Sequence, residues 1–416
     1  NWNEALPIGN GRLGAMVFGV ENREHLQLND DTLWDGYPID AGNPDSLKAL
    51  PDVRRLLFEG KNKEAVDLAG RTMMGRPQGV RPYQSLADLW LECPEMPQTT
   101  DYRRSLDLDT AIAAVTFKHN DVTYNREVFA SAPADCIVVR LTASKPGSIT
   151  FKASVSREKD AQALAHPVDA QAILLRGQIN CKDGKGEQRG LKFAAVVKAV
   201  TKGGTVVNTN GVLAVAGADE VTLFVAGATS FRGGDPEQRC ADTLGKAVGS
   251  RYEALKSAHI KEFQGWFRRV ALDLGSAGAE VDALPTNERL GRIRQGQADP
   301  GLVSMFFQFG RYLLISSSRP GTMPANLQGL WAAGMNPPWN ADYHLNINVQ
   351  MNYWPAESAN LGECHMPLFD LMDGLVKPGE RVAQVQYGAR GWVAHHLTDP
   401  WGFAAPADGP WGIWPV

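Results

Sequence analysis

The chain has 416 residues, and its 42 Lys and Arg residues against 46 Asp and Glu residues give a formal net charge of −4. A chain of this length exceeds the size at which one hydrophobic core stops growing, so we expect two or more domains. The charge balance excludes the basic surface that a nucleic-acid or anionic-membrane partner needs, and no apolar run approaches the roughly 18 residues that cross a bilayer. A neutral partner is therefore expected.

The five cysteines indicate neither a metal site nor a disulfide framework. They are odd in number, widely spaced and form no C-x-x-C pair, whereas zinc sites and disulfide-rich folds use close, regular spacings. We expect buried free thiols. The first residues carry no charged, apolar leader, so either a signal has been removed or the sequence starts late.

Residues 1–258 predict a β-sandwich. Short β-branched or alternating runs recur, and turn signals such as Asn120-Asp121 and Pro146-Gly147 separate them. Regular short strands at this spacing are typical of a sandwich. The runs are 106–109, 113–117, 122–129, 136–141, 149–155, 172–175, 191–199, 212–215 and 221–226.

A helical insertion is predicted on the sandwich near residues 45–75. Leu47, Leu50, Val53 and Leu56 recur at helical spacing, and a second apolar run follows at residues 65–69.

From Tyr252 the pattern becomes helical. We predict a helical linker over residues 259–300, where charged residues stand beside Leu290 and Ile293, and a helical domain over residues 301–416. The run from Met305 to Ile315 is apolar nearly all round, which favours a helix packed on several sides.

The helical part is rich in tryptophan. Aromatic rings offer flat apolar faces that match the C–H faces of sugars, while their polar edges bond hydroxyls. A single tryptophan more often packs a core, so the cluster carries the argument rather than any one member. Seven of the eleven tryptophans belong to it: Trp331, Trp339, Trp354, Trp392, Trp401, Trp411 and Trp414.

Residues 343–355 hold the most informative pattern of the sequence. From His344 to Asn352 polar and apolar residues alternate, which predicts an extended segment with a polar face. That face has many hydrogen-bonding groups and no charge, so it suits a neutral, hydroxyl-rich ligand. Amides do not titrate, so acid/base chemistry needs other groups. The polar face consists of His344, Asn346, Asn348, Gln350 and Asn352.

Cleavage of a glycosidic bond usually needs two carboxyl groups, about 6.5–9.5 Å apart for inversion. Sequence logic alone favours Asp342 and Glu357. Each candidate is more often a helix cap, an ion-pair partner or a solvated residue. The candidates within the tryptophan-rich part are Asp342, Glu357, Glu363, Asp399 and Asp408.

Three other patterns have structural explanations. The spacing G-x-G-x-x-G at residues 9–14 lacks a surrounding βαβ unit, so a turn between strands is expected. The adjacent His395 and His396 point apart in any regular structure and have no third ligand nearby, so no metal site is expected. The long loop at residues 320–340 suits ligand contacts and a rigid connection between helices equally well.

Several long motifs resemble glycoside hydrolase family 95, the inverting α-L-fucosidases and α-L-galactosidases. In the first half these are WNEALPIGNGRLGAMVFG at residues 2–19, LQLNDDTLW at 26–34, YRRSLDL at 102–108 and REVFAS at 126–131. In the second half they are PANLQGLW at 324–331, NIN at 346–348 and NYWP at 352–355.

The resemblance implies an N-terminal β-sandwich, a helical linker and an (α/α)6 barrel, of which residues 301–416 would be an incomplete part. It implies removal of terminal α-linked L-fucose, or L-galactose, from an oligosaccharide or polysaccharide, without a metal or organic cofactor and in a periplasmic or secreted setting. The family's active-site asparagines fall on Asn346 and Asn348, and its sugar-contacting histidine falls on His344. Trp331 and Trp339 are the further expected sugar contacts.

One part of the family pattern is missing from this sequence. The family's general acid Glu and base Asp lie in motifs of the type Ser-Pro-Glu-Asn and Asp-Gly-Asn, and neither string occurs here. We therefore expect both groups beyond residue 416. The alternative is a non-catalytic carbohydrate-binding protein or a catalytically incomplete fragment.

Overall fold

Two antiparallel β-sheets pack face to face in the first part of the chain. The computed structural model describes residues 1–166 and 169–414. The strands of the two sheets, in chain order, are β1 (Leu6–Gly9), β2 (Leu13–Val17), β3 (Arg23–Asp30), β4 (Ala87–Glu92), β5 (Thr100–Asp107), β6 (Ile112–His119), β7 (Val122–Ser131), β8 (Cys136–Ala143), β9 (Ile149–Ser156), β10 (Ala161–Ala165), β11 (Ala172–Gln178), β12 (Lys192–Lys202), β13 (Thr205–Thr209), β14 (Val212–Ala218) and β15 (Glu220–Thr229).

The predicted β-sandwich is confirmed. One sheet has the strand order β1-β2-β3-β4-β9-β14-β13, and the other has the order β10-β11-β12-β15-β8-β7-β6-β5. Strand β9 shows why these segments form a sandwich, because its alternate residues Ile149, Phe151, Ala153 and Val155 are all buried in the core between the sheets.

The predicted turn at Asn120-Asp121 joins β6 and β7. Both residues have positive φ angles, 47° and 59°, and His119 pairs with Val122 across the turn. Asn and Asp tolerate this left-handed region better than most residues, and it matches the twist of a two-residue hairpin.

Nine helices lie within the described ranges, together with a short two-stranded ribbon. The ribbon pairs β16 (Tyr343–His344) with β17 (Leu397–Thr398). The helices are α1 (Asp45–Phe58), α2 (Asn62–Thr72), α3 (Pro236–Ala247), α4 (Tyr252–Phe267), α5 (Ala279–Asp282), α6 (Thr286–Arg294), α7 (Pro300–Ser317), α8 (Asn348–Ser358) and α9 (Met366–Tyr387).

Helices α1 and α2 lie in the range predicted for the helical insertion. Their buried faces meet at Val53, Ala65 and Ala69, and this small core continues onto Tyr387 at the end of α9 and Ile413. The insertion therefore packs against the helical half of the molecule as well as interrupting the sandwich.

The segment between sandwich and helical half is fixed by ion pairs. Arg289 of α6 donates to the buried carboxylate of Asp299 at 2.6 and 2.8 Å. The same carboxylate accepts from the backbone N–H of Leu302 and so caps α7. This pairing holds the pKa of Asp299 at about 2.

Helix α7 is packed on several sides only in its second half. Tyr312, Ile315 and neighbouring residues are buried, whereas Phe306 is 76% exposed. The predicted packing on several sides is therefore wrong for the first two turns of α7, where apolar side chains such as Phe306 are exposed.

Exposed apolar side chains continue over α8 and α9. Isolated exposed apolar residues are ordinary, whereas several of them on neighbouring helices are typical of an interaction surface. No helix in the described ranges combines the length and hydropathy of a membrane span. The exposed large apolar residues of the three helices are Val303, Met305, Phe306, Met351, Trp354, Met366, Phe369 and Met372.

Candidate active site

The ribbon of β16 and β17 brings two histidines together. His344 pairs with Leu397, and the N–H of Leu345 donates to the carbonyl of His396 at 2.7 Å. The two imidazole rings stand perpendicular, with centroids 6.2 Å apart. His344 is half-buried, so part of its ring stays open to solvent.

Aromatic residues of the sandwich half pack against this ribbon. Tyr343 is buried and stacks on Trp34, which in turn lies against Tyr83. The hydroxyl of Tyr83 donates to the carbonyl of Leu330 at 2.8 Å, and its backbone N–H donates to the carbonyl of Asn340 at 2.9 Å. Aromatic stacking and backbone hydrogen bonds from the sandwich thus fix the position of the histidine beside Tyr343.

Asp342 orients the ring of His344. Its buried carboxylate accepts a hydrogen bond from Nδ1 of His344, so Nε2 is the nitrogen left for a ligand. This bond raises the pKa of His344 above its ordinary value, and the charges of Asp342 and Asp408 act in the same direction. Burial raises the pKa of Asp342 as well, because it outweighs the contact with the histidine.

His396 and Asp408 form a second pair at the same place. Nε2 of the buried His396 lies 3.1 Å from Oδ2 of Asp408, whose side chain is 46% exposed. Sequence reasoning considered both residues and assigned neither to a sugar site. The sequence around His396 gives no signal for the pair, because it forms only when residues 404–412 fold back over the ribbon.

His395 points the other way, as expected for adjacent residues. Its Nε2 bonds the hydroxyl of Tyr387 at 2.7 Å and its Nδ1 bonds the carbonyl of Ala404 at 2.6 Å. Burial lowers the pKa of His395 to about 4. Within the described ranges no group of three or more His, Cys, Asp or Glu residues is arranged to hold a metal ion.

Two exposed tryptophans flank the histidine pair. Trp339 meets His344 edge to face at 6.1 Å, and Trp411 lies 4.7 Å from His396. Trp339 is 76% exposed and Trp411 63% exposed, which leaves both ring faces available to a ligand.

Trp339 lies in a strained loop. Trp339, Asn340 and Ala341 have φ angles of 54°, 58° and 47°, a run of left-handed residues without a glycine. Such strain persists only where the surroundings hold it, and it concentrates at functional sites. Here the hydrogen bond from Tyr83 to Asn340 is one restraint.

Trp331, the other tryptophan expected to contact the sugar, lies away from the histidine pair. It is 4% exposed, it packs with Ala5 and Met16 of the sandwich, and its indole N–H donates to the carbonyl of Ile8 at 2.8 Å. The structure therefore places Trp331 in the core between the two halves, where a sugar has no access.

The predicted extended segment is wrong from Asn348 onward, because α8 begins there. Its buried residues Val349, Tyr353 and Ala356 follow helical spacing, and the hydroxyl of Tyr353 bonds Ser318 at 2.7 Å. The packing of α8 against other elements therefore decides the conformation, although the alternation of polar and apolar residues favours an extended segment. Gln350 and Asn352 consequently leave the predicted polar face and bond the carbonyls of Leu345 and Asn326.

Asn346 and Asn348 remain beside His344 despite this change. They flank the turn into α8, with Asn348 as its first residue. Oδ1 of Asn346 is buried and has no hydrogen-bond partner among the described residues. Leaving such an acceptor unpaired costs about 1–3 kcal/mol, so this atom is suited to a bound water or ligand.

The other carboxylates have structural partners. Glu357 bonds His365 at 2.9 Å and Glu363 bonds Arg269 at 2.8 Å, both on the surface. Asp399 accepts from the backbone N–H groups of Trp401 and Phe403, and burial raises its pKa to about 6.

The loop at residues 320–331 is a rigid connection between the halves. The N–H of Met323 donates to the buried carboxylate of Asp31, at the end of β3, at 2.8 Å. The N–H of Ala325 donates to the hydroxyl of Tyr353, also at 2.8 Å. These contacts favour the structural interpretation for residues 320–331, whereas Trp339, in the rest of the loop predicted at residues 320–340, lies beside His344.

Two family models match the chain. The Glycosyl hydrolase family 95 catalytic domain matches residues 251–416, and the Glycosyl hydrolase family 65, N-terminal domain matches residues 1–234. The match to glycoside hydrolase family 95 thus covers residues 251–416.

Curated relatives of this chain carry fucosidase names. "Alpha-L-fucosidase 2" of Arabidopsis thaliana is 40% identical over 100% of the chain, and "Probable alpha-fucosidase A" of Aspergillus niger is 34% identical over 99%. The chain spans 53% and 54% of the length of these two relatives, about half of each protein.

A solved structure described as "Putative kojibiose phosphorylase from human microbiome" has the same fold. It superposes with a TM-score of 0.53 at 10% sequence identity, covering 96% of this chain and 50% of that protein. At this identity the likeness concerns the fold alone.

Proposed function

We propose that this chain is the N-terminal half of a glycoside hydrolase that removes terminal α-linked L-fucose, or L-galactose, from oligosaccharides or polysaccharides by inverting hydrolysis. The match of residues 251–416 to family 95 and the names of the relatives support this proposal. Because the chain spans about half of those relatives, the activity concerns a longer protein, which we call the complete enzyme.

The observation that carries the proposal is the amide pair beside His344. Oδ1 of Asn346 is a buried acceptor without a partner among the described residues. Asn348, two residues further along, is the first residue of α8, and its side chain likewise makes no hydrogen bond to any described residue. Two free amides next to a histidine provide acceptors and donors without adding charge.

These groups suit the positioning of a water molecule. Oδ1 of Asn346 accepts one O–H of the water, and the amide N–H of Asn348 donates to the carboxylate base. The base takes the second water proton as the oxygen attacks the anomeric carbon. Orientation of this kind lowers the barrier by holding the reacting atoms in place. Nε2 of His344 contacts a sugar hydroxyl.

The acid and the base belong to the proposed second half. Each typically contributes about 10²–10⁴ in rate, so the 416-residue chain alone should be essentially inactive. The exposed apolar faces of α7, α8 and α9 support a second half that covers them, completing an (α/α)6 barrel.

The walls of the site suit a neutral sugar. Trp339 and Trp411 present exposed ring faces on either side of the histidines, and such faces match the C–H groups of a pyranose ring. The polar groups between the rings are imidazoles, amides and the half-exposed carboxylate of Asp408.

The test is the stereochemistry of the product. The complete enzyme, incubated with an α-L-fucosylated oligosaccharide, should release β-L-fucose first, as proton NMR of the anomeric signals would show before mutarotation. First release of the α anomer would refute inversion. Release of no fucose would refute the proposed activity itself.

A further inference from the structure

Residues 75–85, in the sandwich half of the chain, form hydrogen bonds with both loops that carry the candidate site. We call them the bridging segment. On one side, the N–H of Gly75 donates to the carbonyl of Pro406 at 2.8 Å, and the N–H of Asp408 donates to the carbonyl of Gln78 at 3.0 Å. These two bonds fix the loop at residues 404–412 to the sandwich.

On the other side, the bridging segment holds the loop with Trp339. The N–H of Tyr83 bonds the carbonyl of Asn340 at 2.9 Å, and the N–H of Ser85 bonds the carbonyl of Gly334 at 3.0 Å. The buried Gln84 adds a side-chain bond to the carbonyl of Met335 at 3.3 Å. One short segment thus sets the distance between the two walls of the site.

Gly79 occupies a special position in this segment. A Cβ atom at Gly79 would lie 3.7 Å from Oδ1 of Asp408 and would meet no other atom within 4 Å. A side chain at this position would therefore start in ordinary contact with the carboxylate and grow across it. Because residue 79 is a glycine, this oxygen is left open.

The two oxygens of Asp408 have different surroundings. Oδ2 faces Nε2 of His396 at 3.1 Å, whereas Oδ1 makes no hydrogen bond to any described residue. The side chain is 46% exposed, and its backbone has a φ angle of 63° that the bond to Gln78 helps to hold. Asp408 is thus a fixed carboxylate with one free acceptor at the edge of the site.

We propose that Gly79, contributed by the sandwich half, is a specificity-determining residue of the active site: it keeps Oδ1 of Asp408 open to accept a hydrogen bond from a hydroxyl of the bound sugar. This inference rests on the proposed function. The ligand class is a neutral sugar with a free hydroxyl, since a carboxylate accepts from O–H groups and repels anionic substituents.

The first experiment compares Gly79→Gln with Gly184→Gln in the complete enzyme. Gly184 is an exposed glycine of the sandwich with no atom within 4 Å of an added Cβ and no positive φ angle, so it is a matched control. Gly79→Gln should raise KM for the fucosylated oligosaccharide about ten-fold or more, the loss expected for one hydrogen bond to a charged group. Gly184→Gln should leave KM unchanged.

A double-mutant cycle separates this role from a general disturbance. In an Asp408→Ala background the oxygen is gone, so Gly79→Gln should change KM by no more than about three-fold. If the double variant instead raises KM by the product of the two single fold-changes, the proposal is overturned. An unchanged KM for Gly79→Gln in the parent enzyme would overturn it as well.

If circular dichroism shows that Gly79→Gln does not fold, a variant of Asp408 alone tests the same oxygen. Asp408→Ala keeps the backbone bond to Gln78 and removes Oδ1, so it should by itself raise KM about ten-fold. An unchanged KM would refute the role of Oδ1. Release of no fucose by the parent enzyme would instead refute the proposed function, so the two failures are distinguishable.

Discussion

The carboxylate of Asp342 accepts a hydrogen bond from Nδ1 of His344, two residues further along the chain. Asp342 is 1% exposed, and the N–H of Leu327 donates to its backbone carbonyl at 3.1 Å. A buried, restrained carboxylate holds the imidazole in one orientation and favours its protonated form. The ring is therefore prepared to present Nε2 to a ligand before any ligand arrives.

Replacing Asp342 by Asn should lower the pKa of His344. The amide supplies no negative charge, so the interaction that raises the pKa in the parent chain is lost. NMR titration of the histidine ring signals, assigned with His344→Gln, measures the change. Asp373→Asn, on the exposed face of α9, is the control, and an equal shift in both variants would refute the pairing.

His259 should make the folded state sensitive to acid. Burial lowers its pKa from 6.5 to about 4, and its Nε2 bonds the carbonyl of Thr110. The folded state disfavours the charged ring, so this contribution to stability is present above pH 6.5 and is lost as the pH falls towards 4.

The variant His259→Gln keeps an N–H donor for Thr110 and does not titrate. Relative to this variant, the parent chain should lose about 3 kcal/mol of unfolding free energy over that pH range. Denaturant unfolding of both chains at a series of pH values gives this difference in unfolding free energy. The two chains share all their other titrating groups, so the contributions of groups that act in the opposite direction, such as Asp31, cancel in the comparison. A difference independent of pH would contradict the assignment.

Tyr83→Phe should weaken the contact between sandwich and helical half. The hydroxyl of Tyr83 is buried and donates to the carbonyl of Leu330, and its removal leaves that carbonyl without this donor. We expect a loss of about 1–2 kcal/mol in unfolding free energy.

Tyr124→Phe is the matched control for this prediction. The hydroxyl of Tyr124 makes no hydrogen bond to any described residue, so its loss should cost less than about 0.5 kcal/mol. Equal losses in the two variants would show that the bond to Leu330 contributes nothing specific.

The sandwich could be predicted because its signals are local. Alternation in β9 and the turn at Asn120-Asp121 depend only on neighbouring residues, and both appear in the structure. The same rule failed at residues 344–352, where the alternation is equally regular. There Val349, Tyr353 and Ala356 find a core at helical spacing, and a distant contact with Ser318 decides the conformation.

The candidate site was only partly accessible to sequence reasoning. The motif resemblance directed attention to His344 and the two asparagines, which lie together in the structure. Trp331 looked like Trp339 in sequence, yet Ile8 binds its indole N–H in the core. The pair of His396 and Asp408 depends on the bridging segment from the other half of the chain, and no local pattern reports such a contact.

The central claim is that Asn346 and Asn348 position the attacking water and its base. The most direct measurement is the steady-state kinetics of Asn346→Ala and Asn348→Ala in the complete enzyme, with Asn287→Ala, an exposed residue in the first turn of α6, as the control. Each of the two site variants should lower kcat by about 10²-fold or more with little change in KM, because the interaction stabilises the transition state alone. An unchanged kcat, or a rise in KM as large as the fall in kcat, would contradict the claim.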